Sequence, residues 1–173
     1  SAKADLDNIT MSMVDIPDTG ILRVLINAKM DVRSPGMVFN AVQRGDIEAL
    51  KLLLTAKADP CHQPRKQRSP LEAAVKQNHI DILRVLLDAK AEDCSGVVTA
   101  INHQDIEALK LLIDAKADIG DCSGVLTAIN HQDIEALKLL IDAKSDINPW
   151  HNARTSPLLS AILQKSTDSL RIL

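Results

Sequence analysis

The sequence predicts an all-α fold, a helix–turn–helix solenoid of about six repeats, and three observations lead there. The fifteen residues NHQDIEALKLLIDAK occur twice without a change, at Asn102 to Lys116 and at Asn130 to Lys144, so a unit was duplicated and its copies must be structurally equivalent. Within that unit apolar residues recur at the spacing of a helix face. Hydrophobic residues make up 46% of the chain but aromatics only 1%. Such an aliphatic, Ala-rich interior suits helices packed through small side chains, and argues against a sandwich or barrel built on aromatic and β-branched strands.

The clearest helix is DIEALKLLIDAK. Ile106, Leu109, Leu112 and Ile113 fall on one face, and Glu107, Lys110 and Asp114 fall on the other. Asp105 precedes it as an N-cap and Glu107 adds a carboxylate near the positive end of the helix dipole. Upstream, SGVVTAINHQ is a shorter helix with Ser95 as its N-cap candidate. Each unit therefore reads as helix, tight turn, helix.

Weaker forms of the same phrase begin at Asp18, Asp46, His79 and Ser166. The equivalent leucines of the six second helices are Leu22, Leu50, Leu83, Leu109, Leu137 and Leu170, spaced by 28, 33, 26, 28 and 33 residues. That is the length range of solenoid repeats, in which each layer buries its apolar face only by stacking on its neighbours. The six first helices are expected to start near Asn8, Gly36, Ser69, Ser95, Ser123 and Ser156. Between residues 93–120 and 121–148, 25 of 28 paired positions agree; Val98/Leu126, Ala117/Ser145 and Gly120/Asn148 differ.

One unit, SPLEAAVKQNHIDILRVLLDAKAED from Ser69 to Asp93, resembles an ankyrin repeat. Ser69-Pro70-Leu71 stands where that family has Thr-Pro-Leu, Ala73-Ala74 starts its paired small residues, Asn78-His79 replaces Gly-His, and Leu86-Leu87 matches its paired leucines. Ser156-Pro157-Leu158 repeats the opening near the end. Two departures stand out. The family usually has Gly just after the second helix, whereas this chain has Lys29, Lys57, Lys90, Lys116 and Lys144 there. A left-handed Lys costs about 1 kcal/mol relative to Gly, so a modified C-cap is expected. The other departure is length. From this Lys to the next first-helix cap is 12 residues at Lys57 to Ser69 and at Lys144 to Ser156, enough for the family's β-hairpin finger, but 7, 5 and 7 at the other three junctions. The chain reads as one solenoid over residues 1–173, opening and closing inside repeats as a segment of a longer array does.

The resemblance implies a non-catalytic protein–protein interaction module, a scaffold or adaptor with a surface formed by first-helix ends and fingers. The candidate partner-binding residues are Arg44, Gln77, His103 and His131 at the polar ends of the first helices. One finger adds His62, Arg65, Lys66 and Arg68; the other adds Trp150, His151 and Arg154, and holds the sole Trp of the chain. The alternative is a structural subunit packed within a large multiprotein assembly, as apolar, finger-less repeats suggest.

Other functions lack a signature. There is no Gly-rich phosphate loop, HExxH or GxSxG, and acidic residues sit at caps and on solvated faces, so no catalysis and no cofactor are expected. Cys94 and Cys122 are equivalent, as are His103 and His131, but Cys and His stand at opposite ends of the first helix, roughly 12 Å apart at 1.5 Å per residue. Duplication accounts for that pattern without metal. A net charge of -3 and a pI near 5.9 give no basic field for nucleic acid, and no stacking aromatics flank Arg65 to Arg68. Three cysteines do not make a disulfide framework, which points to a reducing, by default cytoplasmic, compartment. No apolar run reaches the roughly 20 residues of a membrane span.

Overall fold

In a computed structural model, residues 19–28, 36–61, 68–91, 95–116, 122–145, 147 and 156–173 are described. Among them every regular element is a helix. The chain divides into two compact units, Ser1–Ala91 and Glu92–Leu173.

The first unit holds α1 (Thr19–Asn27), α2 (Met37–Gln43), α3 (Ile47–Thr55), α4 (Pro70–Lys76) and α5 (Ile80–Asp88). First helices α2 and α4 pack side by side, and second helices α1, α3 and α5 form a parallel row behind them. The second unit holds α6 (Ser95–Asn102), α7 (Ile106–Asp114), α8 (Ser123–His131), α9 (Ile134–Asp142), α10 (Pro157–Leu163) and α11 (Thr167–Ile172). Here α6, α8 and α10 make the first-helix row and α7, α9 and α11 the second. The leading first helix expected near Asn8 lies outside the described residues, as do the interiors of both fingers and of the three short junctions.

The core follows the periodicity. Leu22, Leu50, Leu83, Leu109 and Leu137 are all buried, one per layer, and Ala41, Ala74, Ala100, Ala128 and Ala161 are buried where first helices approach closely. The duplicated layers bury the same set: Val97 with Val125, Ile101 with Ile129, Leu112 with Leu140. A shared sequence thus gives a shared interior.

The turn between the paired helices explains the recurrent RGD, QNH, HQD and QKS triplets. Gly45, Asn78, Gln104, Gln132 and Lys165 all have positive φ. After each, the next amide reaches back to the first helix: Asp46 N to Ala41 O, His79 N to Ala74 O, Asp105 N to Ala100 O, Asp133 N to Ala128 O and Ser166 N to Ala161 O, all 2.9–3.0 Å. This is the Schellman closure. The residue that closes the first helix with its amide then starts the second. Asp46, Asp105 and Asp133 accept from Ala49 N, Ala108 N and Ala136 N at 2.9 Å, as expected for Asp105. Each such cap contributes about 1 kcal/mol.

Two expectations about helix ends are corrected. Ser95 and Ser123 are the first residues of α6 and α8, not their caps; Cys122 stands at the cap of α8 and its side chain makes no capping bond. The C-caps are not modified. Lys57, Lys90, Lys116 and Lys144 sit in the left-handed region at φ 64°, 59°, 54° and 62°. Lys57 N bonds to Leu54 O and Ala58 N to Leu53 O, with the same pair at Lys90/Ala91 and Lys144/Ser145. Two satisfied carbonyls and a buried small residue after the Lys outweigh its left-handed cost, and the cation favours the negative helix end.

Candidate functional site

The polar ends of the first helices carry side chains that meet across layers in one register. Gln77 Nε2 donates to Gln43 Oε1 at 2.8 Å, His131 Nε2 to Asn102 Oδ1 at 3.0 Å, and Gln164 Nε2 to Asn130 Oδ1 at 2.6 Å. In every case the donor lies one residue further along its helix end than the acceptor does in the preceding layer. Ser160 Oγ adds a second bond to Asn130 Oδ1 at 3.2 Å. These amide and imidazole rungs lie at the surface, so each contributes modestly to stability.

The rungs sort the candidate residues. Gln77 and His131 are committed to a neighbouring layer. Arg44 and His103, at the positions equivalent to those donors, are exposed, and their side chains make no hydrogen bond or ion pair among the described residues. The side chain of Lys76, at the equivalent of the acceptors, is likewise exposed and makes no such bond among the described residues. Arg68 Nε pairs with Glu72 Oε1 at 2.9 Å, an i,i+4 contact that ties its guanidinium to the start of α4. His62, Arg65, Lys66, Trp150, His151 and Arg154 lie outside the described residues.

His79, which the sequence marks only as part of a family motif, joins two layers. It does not cap its own helix. Instead its Nδ1–H donates to Val42 O at 3.2 Å, and the ring lies over Gly45, where a Cβ would come within 3.2 Å of Cε1. Gly45 suits the position twice: it takes the φ of 70° without the strain that Asn78, Gln104, Gln132 and Lys165 accept at the equivalent turns, and it leaves room for the His79 ring. An open cleft of about 350 Å³ runs beside the contact, lined by Gly45, Ile47, Asn78, His79 and Ile80 among others. The next-layer signal in the sequence was the Gly–His pairing of these two positions, invisible without knowing the layer register.

Exposed ionic contacts join second helices, Arg23 with Glu48 at 4.0 Å and Lys110 with Glu135 at 3.4 Å. Exposed pairs of this kind are worth little. Among the described residues no group of three or more His, Cys, Asp or Glu is arranged to hold a metal ion, and no helix is long and apolar enough to cross a membrane.

A family model for ankyrin repeats, in three copies, matches residues 11–96. The chain belongs to the ankyrin-repeat family. Among solved structures it is similar to the ankyrin repeat domain of Bcl-3, described as a unique member of the IkappaB protein family, with a TM-score of 0.71 and 20% identity over 88% of this chain and 76% of that one. At that identity the likeness is one of fold. No match is found among curated protein sequences. Ankyrin repeats are in general protein–protein interaction modules, and the helix pairs beyond residue 96 repeat the caps, turns and burial of those inside the matched span.

Proposed function

We propose that this ankyrin-repeat protein is a non-catalytic adaptor or scaffold that binds another protein through the ends of its first helices and the adjoining fingers. One observation carries the reading: within each compact unit the polar first-helix ends are held in register by interlayer rungs, while the side chains of Arg44 in the first unit and His103 in the second are exposed and make no hydrogen bond or ion pair among the described residues. A preorganised row of backbone with a few free charged or aromatic side chains binds at low ordering cost. Arg is a favoured binding anchor, and His62, Arg65, Lys66, Trp150, His151 and Arg154, in the two long segments that precede first helices in the sequence, belong to the same proposed surface. Each layer offers few residues, so affinity is summed along the repeats.

The test is a direct titration. A partner is identified by cross-linking through residues substituted at 44 and 103, purified, and titrated against wild type, Arg44→Ala and His103→Ala. The expected result is a loss of about ten-fold or more in affinity, near 1.4 kcal/mol, with an unchanged melting temperature. Affinity indifferent to both changes and to Trp150→Ala removes the proposed surface.

A further inference from the structure

The first-helix row of the second unit is built without charged residues. None of the residues of α6 (SGVVTAIN), α8 (SGVLTAINH) and α10 (PLLSAIL) is Asp, Glu, Lys or Arg. The second-helix row behind them is charged in every layer, with Glu107 and Lys110 on α7, Glu135 and Lys138 on α9, and Asp168 and Arg171 on α11. In place of charge, the face of the first helices turned away from that row carries one aliphatic side chain per layer at the same height: Val98, Leu126 and Leu159. The first two are half-buried, Leu159 is 40% exposed, and Leu163, one turn further along α10, is 73% exposed. In the first unit α4 has Glu72 and Lys76 at the positions of Val98 and Asn102. Depletion of charge around an apolar centre distinguishes a contact surface from a solvated one.

We propose, resting on the protein-binding reading above, that the second unit takes an amphipathic helix of its partner, laid across α6, α8 and α10 with uncharged aliphatic residues seven apart facing Val98, Leu126 and Leu159. The layer spacing sets the period. Packed helices stand roughly 8–10 Å apart, and seven residues of a helix advance about 10.5 Å, so each heptad position meets the next layer. Three residues of an extended segment advance about 10 Å as well, and hydrogen bonding decides between the two. Polar atoms of this face are already spent on one another: Thr127 Oγ1 donates to Ser123 O at 2.7 Å, Asn102 Oδ1 takes the bond from His131, and Asn130 Oδ1 takes those from Ser160 and Gln164. An extended backbone buried against aliphatic side chains and spent amides leaves its own N–H and C=O groups short of partners. A helix satisfies them internally.

The probes are synthetic peptides titrated into the full chain: an alanine- and glutamine-rich helix with leucine at every seventh residue, a helix of the same composition with leucine at every fifth, and a proline-interrupted peptide with leucine at every third. The first should bind saturably, roughly ten-fold or more tightly than the other two, and should shift the methyl resonances of Val98, Leu126 and Leu159 together. Leu159→Gln should weaken that binding roughly five-fold or more with the melting temperature unchanged, since the side chain is already 40% exposed. Arg44→Ala, in the first unit, should leave it unaltered. Absence of saturable binding, equal binding of all three peptides, preference for the proline-interrupted one, or methyl shifts that miss these three residues overturns the proposal. A partner whose affinity falls with Arg44→Ala and His103→Ala but is indifferent to Leu159→Gln removes the helix and leaves the protein-binding reading in place.

Discussion

His131 donates its Nε2–H to Asn102 Oδ1 in the preceding layer at 3.0 Å, in the same register in which Gln164 meets Asn130 and Gln77 meets Gln43. Both members of the first pair lie within the duplicated phrase, so a single sequence supplies acceptor and donor to successive neighbours. Asn130 shows this directly: it is the copy of Asn102 and accepts from the next layer as Asn102 does. Replacing Asn102 by Ala removes one exposed rung and should lower stability by about 0.5–1 kcal/mol, read as a denaturant midpoint shift without a change in slope. A loss above about 2 kcal/mol would mean that the rungs organise the layers far more strongly than their exposure allows.

Ser145 occupies the buried position that follows the left-handed Lys144, where the first unit has Ala58 and Ala91. It is 8% exposed and its hydroxyl has no hydrogen-bond partner among the described residues. Its duplicate position in the sequence is Ala117. An unsatisfied buried hydroxyl costs about 1–3 kcal/mol, so Ser145→Ala should raise the thermal midpoint. A lower midpoint would show that the hydroxyl is in fact used.

Left-handed lysines close four described second helices. Lys90→Gly keeps both backbone bonds of the closure and relieves the strain at φ 59°, giving an expected gain of up to about 1 kcal/mol. Lys90→Ala should give no such gain, since alanine carries the same Cβ into the same conformation. Denaturant melts of the two variants side by side separate backbone strain from any effect of removing the charge.

Asp105 and Asp133 cap equivalent helices with equal 2.9 Å bonds to Ala108 N and Ala136 N. Asp105→Ala and Asp133→Ala should each cost about 1 kcal/mol, and the double variant should cost their sum, because each bond is local to its own turn. Strong non-additivity in equilibrium unfolding would count against local capping.

Trp150 is the binding anchor expected from the sequence. If it meets a partner, Trp150→Ala should weaken binding by about 2 kcal/mol or more with stability nearly unchanged. If it covers the edge of its own stack, the same change should cost about 3 kcal/mol of folding stability. Calorimetric binding and thermal melting of one variant distinguish the two.

The period, the faces of the helices and most of their caps could be read from the residues, because those signals are local. Leucines recurring at helical spacing must share a face, and an Asp before an apolar run finds the free amides of its own first turn. The candidate residues at the first-helix ends are legible in the same way, as polar residues after the last apolar position. What required the folded layers was everything set by the translation from one repeat to the next. That translation commits Gln77 and His131 to rungs, lays His79 over Gly45, and exposes Leu158 and Ile162 where their equivalents are buried. The left-handed lysines belong to the same class: propensity argues against them residue by residue, and they persist because the backbone closure and the buried residue behind it gain more than the strained φ costs.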